Sequence, residues 1–199
     1  MKDVLAATAW TSNADLIADC ARLNYLQKDW VTLDPTYGKG NWWTVWRPDT
    51  LIEHDIKIDG VDFRNLPYGD GHFDAVAFDP PFVSVGGRST TGIPKMHQAY
   101  GMDRAPISPK GVQKLINLGL GEAHRVVKPK GIVLCKVQDY ISSGKLWLGT
   151  HYTLSTALEL SFEPIDRLEY ISGVRPQPSG RRQVHARRNL STLFVLRKK

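Results

Sequence analysis

The sequence has little cysteine: Cys20 and Cys135 are the two in 199 residues, far apart and without metal-ligand spacing. This excludes a disulfide-stapled secreted scaffold and a zinc ribbon, and it suits a reducing, cytoplasmic setting. Both read as small buried apolar residues. No window holds 18 consecutive apolar residues, so no transmembrane helix and no membrane partner are expected. No charged N-terminal segment precedes a long apolar run, so no signal peptide is expected. The six histidines (His54, His72, His97, His124, His151, His185) share no spacing, and no metal is expected. Acids are missing from Gly173 to Lys199, which holds eight basic residues: Arg175, Arg181, Arg182, Arg187, Arg188, Arg197, Lys198 and Lys199. The remaining 172 residues carry 18 basic and 20 acidic side chains, a nearly neutral body. A basic segment on a neutral body suits a polyanionic partner approached from one side.

The length fits one domain over 1–199 with a full core. Residues 1–11 read as irregular. Ser12 or Asn13 caps a helix to about Gln27, with Leu16, Ile17, Cys20, Leu23 and Leu26 at helical spacing. A strand at 30–34 is broken by Gly38-Lys39-Gly40. A short helix with Trp42, Trp43 and Trp46 follows and ends at Pro48. Further strands are expected at Thr50–Ile56, at Val61-Asp62-Phe63 and at Phe73–Asp79. Residues 83–108, rich in Gly and Pro, read as a long flexible loop of the kind that carries function. Ser108-Pro109 starts a helix carrying Val112, Leu115, Ile116, Ala123 and Val127, followed by a turn at 128–131 and a strand at 132–137. A helix near 147–160 and strands at Pro164–Ile171 and Leu190–Arg197 complete the chain. Strands alternating with helices argue a parallel α/β sheet, and the last two strands, with no helix between them, pair antiparallel.

Two stretches carry chemistry. Phe73 to Phe78 is an apolar strand running into Asp79-Pro80-Pro81-Phe82. That strand end brings together a carboxylate, a carbonyl in stiff Pro-Pro geometry and an aromatic face, the groups that hold an exocyclic amine and stack a planar base. Upstream, a strand opens into Asp34-Pro35-Thr36-Tyr37-Gly38-Lys39-Gly40, a Gly-x-Gly loop at the carboxyl end where open α/β sheets bind ligands.

In this order the two stretches resemble motifs I and IV of the S-adenosylmethionine (SAM)-dependent amino-methyltransferases, which methylate adenine N6 or cytosine N4 in DNA. The likeness covers roughly 30–137. Its small size and basic hairpin also resemble stand-alone phage-type DNA methylases. The resemblance implies a class I methyltransferase (Rossmann-like) fold, mostly parallel and seven-stranded, with an antiparallel C-terminal hairpin at its edge. It implies SAM as cofactor, bound by Asp34, Pro35, Thr36, Tyr37, Gly38, Lys39 and Gly40, with the helix N-terminus after Gly40 facing the methionine carboxylate. Thr36 stands where the family has an aromatic residue, and Lys39 where it has serine. Asp55 is the first candidate for the ribose hydroxyls, with Glu53 as the alternative and Ile56 covering the adenine. Asp62 and Phe63 resemble motif III. The short gap between Asp55 and Asp62 leaves no room for a crossover helix, so the third strand is vestigial or its helix is lost.

On the target side the resemblance makes Asp79, Pro80, Pro81 and Phe82 the catalytic set. The expected function is direct in-line transfer of a methyl group to a flipped-out base in DNA, adenine N6 foremost. Cytosine N4, RNA adenine, a protein amide and a non-catalytic nucleic-acid-binding protein stay open as alternatives, as does a homodimer. Cytosine C5 chemistry is not expected, because it needs a cysteine in a Pro-Cys context and neither Cys20 nor Cys135 follows a proline. Arg88 and Lys95 in the long loop, and Arg181, Arg182, Arg187 and Arg188 in the basic hairpin segment at 173–199, are the candidate phosphate contacts.

Overall fold

The computed structural model describes residues 5, 7, 9–82, 108–173, 183–186 and 188–199. The elements are β1 (Ala9–Trp10), α1 (Asn13–Arg22), β2 (Val31–Asp34), a 3-10 turn (Asn41–Trp43), β3 (Thr50–Glu53), β4 (Phe73–Phe78), α2 (Pro109–Val126), β5 (Val127–Gln138), β6 (Tyr140–Ser142), β7 (Lys145–Trp147), α3 (Gly149–Glu159), β8 (Phe162–Ile171) and β9 (Leu190–Lys198). A seven-stranded sheet runs in the order β1-β8-β9-β5-β4-β2-β3. β9 is antiparallel to both of its neighbours, β5 and β8, and the other pairs are parallel.

The strand total matches the expectation, but one member differs. Residues 61–63 form no strand, and the chain turns from residue 63. The seventh place goes to β1, from the segment read as irregular, which pairs with β8 through Ala9↔Glu169 and Trp10↔Tyr170. The β8–β9 pair is therefore covered at its outer side by β1. β3 stops at Glu53, short of Ile56, because Asp55 turns the chain: its carboxylate accepts from the Lys57 N–H at 2.9 Å. α1 stops at Arg22, with Asn24 left-handed beyond it. β5 absorbs the expected 128–131 turn, and a short β6–β7 hairpin, not expected from the sequence, closes through Ser143 and Gly144, both at positive φ.

Apolar residues on alternate sides of the strands build two cores. On one face α1 buries Leu16, Ile17 and Cys20 against Ala75, Ala77, Leu134 and Leu193, with Trp10, Trp42 and Trp43 beside them. Each fully buried Leu or Ile stabilises the fold by about 1.5–3 kcal/mol. On the other face α2 and α3 cover Val76, Phe78, Val133, Cys135 and Val137. Ser108 caps α2 by accepting from Gly111 N–H at 3.1 Å, with Pro109 in the first turn, as the sequence predicts.

The β3-to-β4 crossover has no helix. Side chains hold it instead: His54 lies 2.5 Å from both Asp59 and the Tyr68 hydroxyl, and Arg125 donates to the Tyr68 carbonyl at 2.7 Å. No helix among the described residues is long and apolar enough to cross a membrane.

Candidate active site

The carboxyl ends of β2, β3, β4 and β5 lie side by side, and the sequence motifs sit on them. Register places Leu33 against both Ile52 and Val76, so the Asp34 loop and Asp79 leave adjacent strands.

Asp34 is buried and its carboxylate is spent internally. It accepts from the Trp43 indole N–H at 2.8 Å, the Thr36 N–H at 2.9 Å and the Thr36 hydroxyl at 3.3 Å. The same Thr36 hydroxyl accepts from the Asp79 N–H at 2.9 Å. Threonine in the family's aromatic position thus ties the two motif loops together. Asp34 works as the brace of the loop through these bonds. Burial pushes its carboxyl up to about 7; the Trp43 and Thr36 donors oppose this, and the Asp79 charge adds to it. A folded pKa above the ordinary 3.8 means that stability from this group is complete below about 3.8 and is lost as pH rises to about 7. We expect the Tm of Asp34→Asn to climb relative to the native chain over that window and then run parallel. A constant difference across pH would contradict the buried, proton-retaining Asp34.

The glycine loop is open to a ligand at Gly38 and Lys39, both exposed. Gly38 and Gly40 adopt left-handed φ of 56° and 67°. Tyr37 N–H donates to the His54 carbonyl, and Tyr37 packs against the tryptophan-rich core. Past Gly40 the chain makes a single 3-10 turn of three residues, so no long helix dipole faces a carboxylate there.

At the end of β3 the acid in strand geometry is Glu53, opposite Asp34 and paired with Arg47 at 2.6 Å. Asp55 lies two residues beyond and accepts from the Gly38 N–H at 3.2 Å, fastening the glycine loop. Ile56 follows, half-buried. Asp62 is gripped by Arg64, which holds its carboxyl below the usual carboxylate range. Phe63 turns toward the opposite core, edge-on to Phe78 at 5.3 Å.

Asp79 stands at the end of β4 beside a residue the motif reading missed. Lys136 is buried on β5, and its Nζ lies 3.3 and 3.5 Å from the two Asp79 oxygens. The rings of Tyr170, Trp42 and Phe82 surround that ammonium at 5.0, 5.5 and 5.6 Å from their centroids. Burial raises the Asp79 pKa; Lys136 and the Trp42 indole oppose the rise. The adjacent tryptophans thus serve one acid each, Trp43 for Asp34 and Trp42 for Asp79. The signal for Lys136 was a single charge inside the apolar run Ile132 to Val137. Pro80 and Pro81 are buried, and Phe82 is half-buried against the helix-side core.

Of the phosphate candidates, Arg188 is exposed and its carbonyl accepts from Gln138 Nε2. Arg88, Lys95, Arg181, Arg182 and Arg187 lie outside the described residues. Among the described residues no cluster of three or more His, Cys, Asp or Glu could hold a metal ion.

No protein-family model matches this sequence, and no curated protein matches it. Solved structures do. TrmN from Thermus thermophilus superposes with a TM-score of 0.55 at 15% identity, covering 94% of this chain and 49% of that one. BH2331 from Bacillus halodurans C-125, a protein assigned to the methyltransferases, gives 0.53 at 13% identity, covering 92% and 99%. The PvuII cytosine-N4-specific DNA methyltransferase gives 0.50 at 11% identity, covering 70% and 48%. The chain spans about half the length of TrmN and of the PvuII enzyme. At these identities the likeness concerns the fold, and the chain has the class I methyltransferase fold, an α/β sheet with its antiparallel strand near the C-terminus.

Proposed function

We propose that this chain is a SAM-dependent methyltransferase whose acceptor is the exocyclic amine of a nucleic-acid base, adenine N6 in DNA foremost. The observation that carries the reading is the Thr36 hydroxyl bonded to both Asp34 and Asp79 N–H, which sets a ligand loop and a strand-end acceptor side by side.

The residues present fit the cofactor. A β-carbon on Gly38 would meet only the Thr36 carbonyl, at 3.9 Å, so the loop has an open backbone for a ligand to approach. Glu53 at the neighbouring strand end, with Asp55 as second choice, supplies the acid for ribose hydroxyls. When bound, SAM supplies an electrophilic methyl on a sulfonium. The chain's residues act on the other reactant. A base amine is a weak nucleophile because its lone pair is delocalised into the ring. Asp79 accepts one of its N–H bonds and the Pro80 carbonyl the other, which favours a pyramidal nitrogen and an in-line approach. Phe82 stacks on the base, and Asp79 takes up the proton that the nitrogen sheds. An acid in place of serine at the strand end favours adenine over cytosine. The basic residues between Gly173 and Lys199 supply phosphate contacts in this reading.

A binding protein without turnover has no use for the Asp79, Lys136 and Trp42 arrangement. The test is thermal: SAM at a hundredfold excess over its Kd stabilises the native state by about 2.7 kcal/mol. A clear rise in Tm with SAM alone is expected. An unmoved Tm with SAM, and a rise with DNA alone, would contradict the reading.

A further inference from the structure

Among the described residues Lys136 is the only buried lysine or arginine. Phe78 pairs with Cys135 across β4 and β5, so Lys136 is the neighbour of Asp79 on the next strand. Its 3.3 Å contact is to an acid whose side chain keeps 28% of its surface exposed. Three aromatic faces from three segments, Trp42 after the glycine loop, Phe82 after β4 and Tyr170 on β8, confine the ammonium.

We propose that Lys136 is a positioning residue for the methyl-transfer reaction, holding the Asp79 carboxylate charged and aimed so that it accepts the N–H of the target amine. This rests on the methyltransferase reading. A carboxylate offers about four lone-pair sites. Lys136 and the Trp42 indole engage Asp79 and leave acceptor capacity toward the open side. A protonated Asp79 would have one oxygen turned donor, facing an amine that is itself a donor. In an apolar surround the charged form is the disfavoured one unless an opposite charge sits close. Lys136 supplies that charge, and the ring faces hold the cation by their quadrupoles. Asp34 from β2 and Cys135 from β5 also face Asp79. Neither replaces Lys136: any charge on Asp34 has the same sign as that of Asp79, and burial keeps Cys135 a neutral thiol. A buried ion pair stabilises a fold no better than a well-packed apolar substitute. A lysine at this place in the strand is therefore better explained by what it does to Asp79.

The experiment uses the full chain as wild type, Lys136→Met and Asp79→Asn. Carbon-13 carboxyl NMR follows the Asp79 titration, with Asp79→Asn fixing the assignment. Single-turnover methyl transfer is followed against pH in parallel. In Lys136→Met the Asp79 midpoint is expected to rise by about one to three pH units, the usual effect of losing a close opposite charge. The acid limb of the rate profile moves up with it, the rate at neutral pH falls at least about tenfold, and SAM affinity holds. The Asp79→Ala, Lys136→Met double variant is expected to regain the Tm that Asp79→Ala loses, without regaining activity. An unmoved or lowered Asp79 midpoint in Lys136→Met would overturn the proposal, as would an unmoved acid limb. The NMR arm needs no turnover. A wild type that transfers no methyl would overturn the functional reading, whereas an unmoved midpoint in a wild type that does would overturn this one alone.

Discussion

Replacing Asp79 by alanine is expected to abolish methyl transfer and to leave SAM binding nearly intact. Asp79 sits at the end of β4, on the acceptor side of the Thr36 bridge, while the cofactor loop leaves β2. Loss of one preorganised hydrogen-bond partner at a reacting centre costs about 10²–10³ in rate. Here the same carboxylate also receives the proton, so the effect belongs at or above the upper end. The variant also strands Lys136. Breaking a buried pair costs about 3–5 kcal/mol, and the 28% exposure of the Asp79 side chain puts the lower end in play. The asparagine variant keeps the volume and the Trp42 partner, so it separates lost chemistry from lost packing. Calorimetric SAM titration beside labelled-methyl transfer is the measurement. Equal loss of binding and transfer would move Asp79 to the cofactor side and contradict the assignment.

Gly40→Ala should give the second large effect, on the cofactor side. Gly40 has φ +67°, and a β-carbon there would lie 2.4 Å from the Tyr37 hydroxyl oxygen and 2.6 Å from its ring. The left-handed conformation alone costs an L-residue about 1–2 kcal/mol. Tyr37 must also leave its place, and its N–H bond to the His54 carbonyl holds the loop beside β3. We expect at least about tenfold weaker SAM binding, and a Tm lower by about 4–8 °C for a loss near 2 kcal/mol. Gly60→Ala is the control: Gly60 has φ +77° with nothing within 4 Å of the added carbon. It should show the backbone strain without the change in SAM affinity. Equal SAM affinity in the two variants would mean that the Tyr37 loop does not bear on the cofactor.

The sheet was legible because its strands carry strong patterns. Phe73 to Phe78 and Ile132 to Val137 are apolar runs, and the Ser108-Pro109 start of α2 follows from capping chemistry. Residues 61–63 misled because an Asp-Phe pair matched a family motif, whereas Asp62 closes a local turn with the Arg64 N–H at 2.9 Å. β1 was missed because a two-residue strand leaves no periodicity; it exists through pairing with Glu169 and Tyr170, distant in sequence. The positions of Asp34 and Asp79 at adjacent strand ends followed from their motifs. The partners of those acids did not. Thr36 looked like a departure from the family pattern, and its role depends on a bond to Asp79, 43 residues away. Trp42 and Trp43 read as helix residues, and Lys136 as an unremarked part of a strand. Their roles arise from three-dimensional neighbours that spacing does not encode.

The central claim is that the paired loops of β2 and β4 move a methyl group onto a base amine. Nucleoside mass spectrometry on unmethylated DNA and RNA, incubated with the protein and methyl-labelled SAM, tests it directly. The account predicts labelled N6-methyladenine in DNA, absent with Asp79→Ala. N4-methylcytosine, or label confined to RNA, would keep the site and change the acceptor. No labelled base in any nucleic acid, from a protein that binds SAM, would contradict the account.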